Sequence, residues 1–426
     1  MTTRRSSRVW KKAALALRLA GLHVRSQRMK YKLRALGRRQ LTLTQEIAWL
    51  ETRRQTPTPP ARAGRTALSD ARADPIWIHA PWRAGSTYVW NKFRSHPRYL
   101  AFYEPFHEIL ETLTPATIET TTATSWPSGH PRLAAPYYRE YESLLVQGGG
   151  VRGFAHTFPY TYYFANDEPL SRQQAYLNGL VAHARALGRR PVFGFCRSTG
   201  RAAWFARYMP GTHIALTRDG LGLWRSAFSR SRALGDMYFI TRPLIILLMS
   251  RRDPWIADYL ASLDLDPVAR LCDLGRAEHE AERLATRDPA LTMRAFAAVF
   301  ALGTALSQRH ADIVVPIEGL STEAGRRALT ASLAGRFDIA LDWSDCAIPI
   351  YQARPDDKPF LAHWHEALCR AEACVSNVVT PAQRPAHNGR AARQTVFKGE
   401  YGAPTPEDRT AGQRAPQAGH TLSKGA

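Results

Sequence analysis

Five residues, Arg83-Ala84-Gly85-Ser86-Thr87, stand between an apolar run, Pro75-Ile-Trp-Ile-His-Ala80, and a stretch with helical spacing from Ser86 to His96. A loop that turns from a strand into a helix presents backbone N–H groups with partial positive charge, a seat for phosphate or sulfate. Gly85 lets the backbone come close to an anion, and Arg83 adds a fixed charge with forked donors. The pattern departs from Gly-x-x-x-x-Gly-Lys-Ser/Thr. Gly85 takes the place of the lysine, and the basic residue lies three before Ser86. Support for Mg-nucleotide hydrolysis is correspondingly weak. Alone, the segment also reads as a strand-to-helix turn with a capping serine.

A second constellation lies at Thr212-His-Ile-Ala-Leu-Thr-Arg218-Asp219, where an arginine ends a strand-like run and Asp219 is placed to cap the next helix. Ser226 follows Arg218 by eight residues, two helical turns on, so both can face one phosphate above the sheet edge. Arg-Asp at a strand end is also a common structural pair. A third group, Glu104-Pro-Phe-His107, follows the run Arg98–Tyr103. A carboxylate or an imidazole there suits removal of a hydroxyl proton, and His156 is a further candidate. The blander reading of Glu104 is a structural carboxylate holding a loop.

Together these motifs resemble the sulfotransferase family, whose sulfuryl donor is 3'-phosphoadenosine 5'-phosphosulfate (PAPS). Arg83–Thr87 looks like the family's 5'-phosphosulfate loop, and Arg218 to Ser226 like its 3'-phosphate motif. Phe102-Tyr-Glu-Pro-Phe-His107 is similar to the Tyr-Glu-Pro element of carbohydrate sulfotransferases, and His310–Glu318 to the family's late strand. The resemblance spans roughly residues 75–345. Gly220 stands where proline is usual, and Arg83 where cytosolic members carry lysine. Phe397-Lys-Gly-Glu-Tyr-Gly402 only partly echoes a C-terminal element that would bring Lys398 to the 3'-phosphate.

The resemblance implies transfer of a sulfuryl group from PAPS to an acceptor hydroxyl, with a saccharide or glycolipid as the acceptor class. Arg83, Glu104 and His107 would be the catalytic residues. Arg83, Ala84, Gly85, Ser86, Thr87, Tyr88, Arg218 and Ser226 would bind the nucleotide, Tyr88 near the adenine, with no metal. Two other readings stand beside this one: a catalytically degenerate nucleotide-binding scaffold, and a P-loop kinase.

These residues need strands to carry them. Strand-like runs at 75–80, 98–103, 191–196, 212–217 and 312–317 alternate with helical ones at 86–96 and 222–231. That alternation predicts a three-layer α/β/α fold with a central, mainly parallel sheet and ligands at the carboxyl ends of its strands. Residues 75–380 make this domain. Before it, Leu15, Leu22, Met29, Leu36, Leu43 and Leu50 recur every seven residues in a basic helical extension over 1–55. Coiled-coil self-association, packing on the body and membrane-surface contact are its competing readings. Residues 56–74 read as a linker, and 381–426 as a largely disordered tail.

The formal net charge of +22 sits mainly at the ends. Residues 1–70 hold 17 basic and 3 acidic side chains, residues 381–426 hold 7 and 3, and the middle holds 34 and 30. A nucleic-acid-binding body is therefore not expected. Five scattered cysteines without Cys-x-x-Cys suit a reducing compartment, although Cys369 and Cys374 lie near His363 and His365. The segment that stands out as the longest candidate for a membrane span, Pro243–Met249, is short and reads as core. The expected location is the cytoplasm, with peripheral membrane contact through the basic helix as the variant.

Overall fold

The computed structural model describes residues 74–122, 133–165, 169–250, 254–265, 273–337, 339–346, 348–378 and 394–395. The heptad seam of 1–55, the linker up to residue 73, Lys398 and all of the 381–426 tail except 394–395 lie outside the described residues.

Five strands form one parallel sheet: β1 (Ile76–His79), β2 (Tyr99–Tyr103), β3 (Arg190–Phe195), β4 (Thr212–Thr217) and β5 (Ile313–Pro316). Their order is β2-β3-β1-β4-β5, and Gln394–Thr395 (β6) extends the edge beside β5. Each strand expected from the sequence falls on one of the five. β1, β2 and β3 are buried along their whole length, as parallel strands covered on both faces must be. One register row crosses four strands. His213 pairs with Trp77, Trp77 with Phe193 and Phe193 with Phe102. Their rings stack along that row, with centroids 6.4, 4.4 and 5.3 Å apart. Cross-strand aromatic pairs of this kind hold the register of a sheet.

The helices follow as α1 (Ser86–Arg94), α2 (Pro115–Thr120), α3 (Ser171–Ala186), α4 (Ala202–Tyr208), α5 (Gly220–Leu234) and α6 (Tyr238–Met249). After them come α7 (Pro254–Ala261), α8 (Leu274–Arg287), α9 (Pro289–His310), α10 (Glu323–Phe337) and α11 (Lys358–Val378). Asp219 caps α5, its Oδ1 accepting from Gly222 N at 2.6 Å, as its position in the sequence predicts. Gly220, where the resembling family carries proline, has a local reason. A Cβ there would lie 2.2 Å from Trp364 Cδ2, so α11 packs directly on the start of α5.

Pro243–Met249 is core, buried within α6 as expected. It is not the longest apolar stretch, however. α9 is long and apolar enough to cross a membrane, and most of it is buried inside the fold. Asp288 caps it by accepting from Leu291 N at 2.8 Å, and Pro289 opens it. α9 holds an uninterrupted apolar run of its own, Ala295–Leu302, longer than Pro243–Met249, so its apolar character is present in the sequence and sequence reasoning passed over it.

The chain leaves β1 for the β2 and β3 side, then crosses to β4 on the other flank of β1. The loop after β1 thus lies at a topological switch point, where open parallel sheets form their ligand crevice.

Candidate functional site

β1 delivers the chain into a loop held by left-handed backbone at two residues, Arg83 (φ 72°) and Gly85 (φ 75°). Ala84 N donates to the Pro81 carbonyl at 3.2 Å and tightens the turn. Gly85 is the residue before α1, and no side chain caps that helix or puts an acid in its first turn. The first N–H groups of α1 are therefore offered to an anion. The hydroxyls point elsewhere. Ser86 Oγ lies 2.9 Å from Cys196 Sγ, and Thr87 Oγ1 lies 3.1 Å from Tyr103 Oη, both in buried surroundings. What the loop presents is backbone more than hydroxyl.

The two anion motifs meet. Arg83 Nε donates to Ser226 Oγ at 2.9 Å, and its guanidinium lies over the Phe239 ring, 5.1 Å from the centroid. Arg218 Nη1 donates to the Arg83 carbonyl at 2.6 Å, and Nη2 to the Pro349 carbonyl at 3.0 Å. Arg218 is 9% exposed, and among the described residues its Nε finds no hydrogen-bond partner. Glu318, just past β5, comes within 3.9 Å of that nitrogen and accepts from Asp219 N at 3.1 Å. Burial, with Asp219 beside it, pushes the Glu318 carboxyl up to about 7. Tyr88 lies at the outer side of α1, its hydroxyl donating to Asp345 at 2.6 Å and its ring tilted on Trp343.

Glu104 is 2% exposed and sits at φ 45°, left-handed backbone in a residue with a side chain. Its Oε2 accepts from Cys196 N and from Arg197 Nη1, both at 3.0 Å. Burial raises its carboxyl above the ordinary range, and the Arg197 guanidinium opposes that rise. The Glu104 carbonyl accepts from His107 N at 2.8 Å, so the turn brings the two candidate bases together. His107 Nδ1 accepts from Ile109 N at 3.1 Å, and burial, then Arg197 and Arg242, push the imidazole down to about 3. A ring so poised is a feeble proton acceptor. His156 faces Glu111 instead, at 4.0 Å.

Sequence reasoning missed the groups around Glu104. Arg197 is 1% exposed and bridges two carboxylates, Glu104 and Glu108, the latter at 2.7 Å. Tyr238 Oη donates to Glu108 at 2.9 Å and also meets Arg197 Nη2. Arg242 Nη2 reaches Glu108 at 3.2 Å. Burial works against the Glu108 carboxylate, but Arg197, with His107 and Arg242, holds it well below the usual range. A signal for Arg197 existed, since it closes an apolar strand at the ligand edge of the sheet. Tyr238 and Arg242 are four apart on one helical face, with nothing nearby to name their partner.

Among the described residues no three metal-ligating side chains converge, the Cys369 and Cys374 pair included. The site consists of an uncapped helix start, a loop arginine tied to α5, a second arginine gripping that loop, and a buried carboxylate at one sheet edge. No protein-family model matches the chain, and neither curated proteins nor solved structures show a similarity to it.

Proposed function

We propose that this protein is a PAPS-dependent sulfotransferase acting on a hydroxyl, with a saccharide or glycolipid as the acceptor class. One observation carries the reading: Arg83 bonds Ser226 while Arg218 bonds the Arg83 carbonyl, so the two anion motifs form one unit, which Ser86 joins through Cys196 to Glu104. In this reading the acceptor oxygen attacks sulfur in line, and the sulfur–oxygen bond to the nucleotide's 5'-phosphate breaks. Adenosine 3',5'-bisphosphate (PAP) leaves, and the hydroxyl proton passes to Glu104. Negative charge grows on the leaving oxygen, which Arg83 and the N–H groups from Gly85 to Thr87 would stabilise. Arg218 and Ser226 would hold the 3'-phosphate, a phosphate oxygen taking over the bond that Arg218 now gives to the Pro349 carbonyl. Tyr88 would flank the adenine.

A non-catalytic nucleotide-binding scaffold is the second reading, favoured by the two carbonyls that already engage Arg218. Calorimetric titration with PAP and with ADP, on wild type and Arg218→Ala, tests the proposal. Two charge-assisted bonds to the 3'-phosphate, about 1.5 kcal/mol each, with about 1 kcal/mol from loosening of the Arg83 loop, predict a loss of PAP affinity of about 800-fold. ADP lacks that phosphate and should lose only about 5-fold, from loosening of the Arg83 loop at about 1 kcal/mol. Equal losses, or wild type that ignores PAP, would overturn the assignment. PAP binding without transfer from PAPS to any hydroxyl would favour the scaffold.

A further inference from the structure

Resting on the sulfotransferase reading, we infer that Arg197 is a positioning residue that fixes the Glu104 carboxylate for removal of the acceptor proton, with Tyr238 and Glu108 holding Arg197 in turn. A guanidinium buried to this degree must be paired and hydrogen-bonded to be tolerated. Arg197 meets Glu104 at 3.0 Å and Glu108 at 2.7 Å, and Arg242 supplies the second positive charge at 3.2 Å from Glu108. Glu278 lies 4.0 Å from Arg242 in turn, so in this set each buried arginine faces two carboxylates and Glu108 is shared between them.

Within that set Glu104 has the constrained geometry. Its backbone N donates to the Gly194 carbonyl at 2.8 Å, and its side chain accepts from Cys196 N and Arg197 at the end of the same strand. Glu104 is therefore pinned to β3 at two points, which sustains its left-handed backbone. Both donors land on Oε2, leaving Oε1 to take a proton.

α6 links this carboxylate to the leaving-group arginine. Tyr238 touches Arg197 and Glu108, while the next residue, Phe239, lies against the Arg83 guanidinium. One turn of helix thereby sets the spacing between the proposed base and the proposed cation, as in-line transfer requires.

The charged and titratable groups facing Glu104 are Arg197 and Cys196 from the end of β3, Tyr103 from β2, and Tyr138 and Tyr141 from the adjoining turn. His107, Glu108, Tyr160 and Tyr238 surround Arg197, and Arg242 lies on the far side of Glu108. Of these, Arg197 is the nearest positive charge, so its removal should make Glu104 harder to ionise.

The test follows the Glu104 carboxyl resonance in full-length protein labelled with 13C-glutamate, assigned by loss of the signal in Glu104→Gln. PAP binding and PAP release from PAPS with water as acceptor are measured in parallel. Arg197→Gln should raise the Glu104 titration by about one pH unit or more. PAP release at pH 7 should fall tenfold or more, with PAP affinity within threefold of wild type. Tyr238→Phe should move the titration the same way by less, and Arg197→Lys, which keeps the charge but not the bridge, should recover part of the rate. An unmoved titration in Arg197→Gln overturns the positioning role. If that variant does not fold, an unmoved titration in Tyr238→Phe does so. Wild type that neither binds PAP nor consumes PAPS overturns the parent reading and the base role, and the titration still reports whether Arg197 sets Glu104.

Discussion

Gly85→Ala isolates what the loop proposed to bind the anion demands of its backbone. Gly85 sits at φ 75°, where an L side chain costs about 1–2 kcal/mol. A methyl there would also lie 3.1 and 3.2 Å from Ile317 Cγ1 and Cδ1, inside ordinary carbon–carbon contact. Ile317 is itself buried, so it can yield little, and overpacking adds about 1 kcal/mol. Alanine stiffens the unfolded chain and returns about 0.5 kcal/mol. The expected net loss is about 2 kcal/mol, read as a lower urea midpoint at unchanged slope. A double-mutant cycle with Ile317→Ala separates the two causes: relief of the clash should give about 1 kcal/mol of coupling, and the backbone term should remain. The same change displaces the N–H groups at the start of α1, so PAP affinity should drop tenfold or more by calorimetry. A variant within about 0.5 kcal/mol of wild type, or strict additivity with Ile317→Ala, would refute the conformational reasoning. A destabilised variant that still binds PAP fully would separate the loop's geometry from anion binding.

Two pH-dependent outcomes follow from buried groups near the site. Glu318 is pushed up to about 7, and its Oε2 has no hydrogen-bond partner among the described residues. Its ionised form is the one the fold disfavours, so stability falls as pH rises from about 4.5 to 7. Glu318→Gln should remove up to about 3 kcal/mol of that decline between pH 5 and 8, and parallel urea midpoints would contradict it. His107 has the opposite sense. Its folded form stays neutral down to about 3, while the unfolded chain takes up a proton near 6.5, so acidification from pH 7 to 4 costs stability. Glu108, held below the usual range, adds to the loss only under about pH 4.5. His107→Asn, which keeps an acceptor for Ile109 N, should lose less stability over pH 7 to 4, by up to about 3 kcal/mol.

The strands were legible because each is a short, largely apolar run, and burial of β1, β2 and β3 on both faces leaves no alternation to decode. That Arg83, Arg218 and Ser226 come together was legible for a related reason: two of them follow strand ends on one edge of the sheet, and a helix fixes the eight-residue step between the last two. The inward turn of the Ser86 and Thr87 hydroxyls was not legible, because it depends on Cys196 and Tyr103 from other strands. Nor was the grip of Arg218 on the Arg83 carbonyl, across 135 residues. The Tyr238 and Arg242 pair shows the limit most clearly. Helical spacing reveals that they share a face, but their partner, Glu108, comes from a turn about 130 residues earlier, brought there by folding.

The aromatic row that crosses the sheet also works as a ruler. Glu104 follows Phe102 by two residues, Arg197 follows Phe193 by four, Arg218 follows His213 by five and Arg83 follows Trp77 by six. All four functional groups are thus measured from one line of stacked rings. Insertion or deletion of one residue between the line and any of them would shift that group by about 3.3 Å and, within the strand, turn it to the opposite face. Length changes elsewhere in the connections leave the four distances untouched. On the sulfotransferase proposal, the loops beyond the ruler are therefore where this scaffold can vary its acceptor without moving the four groups.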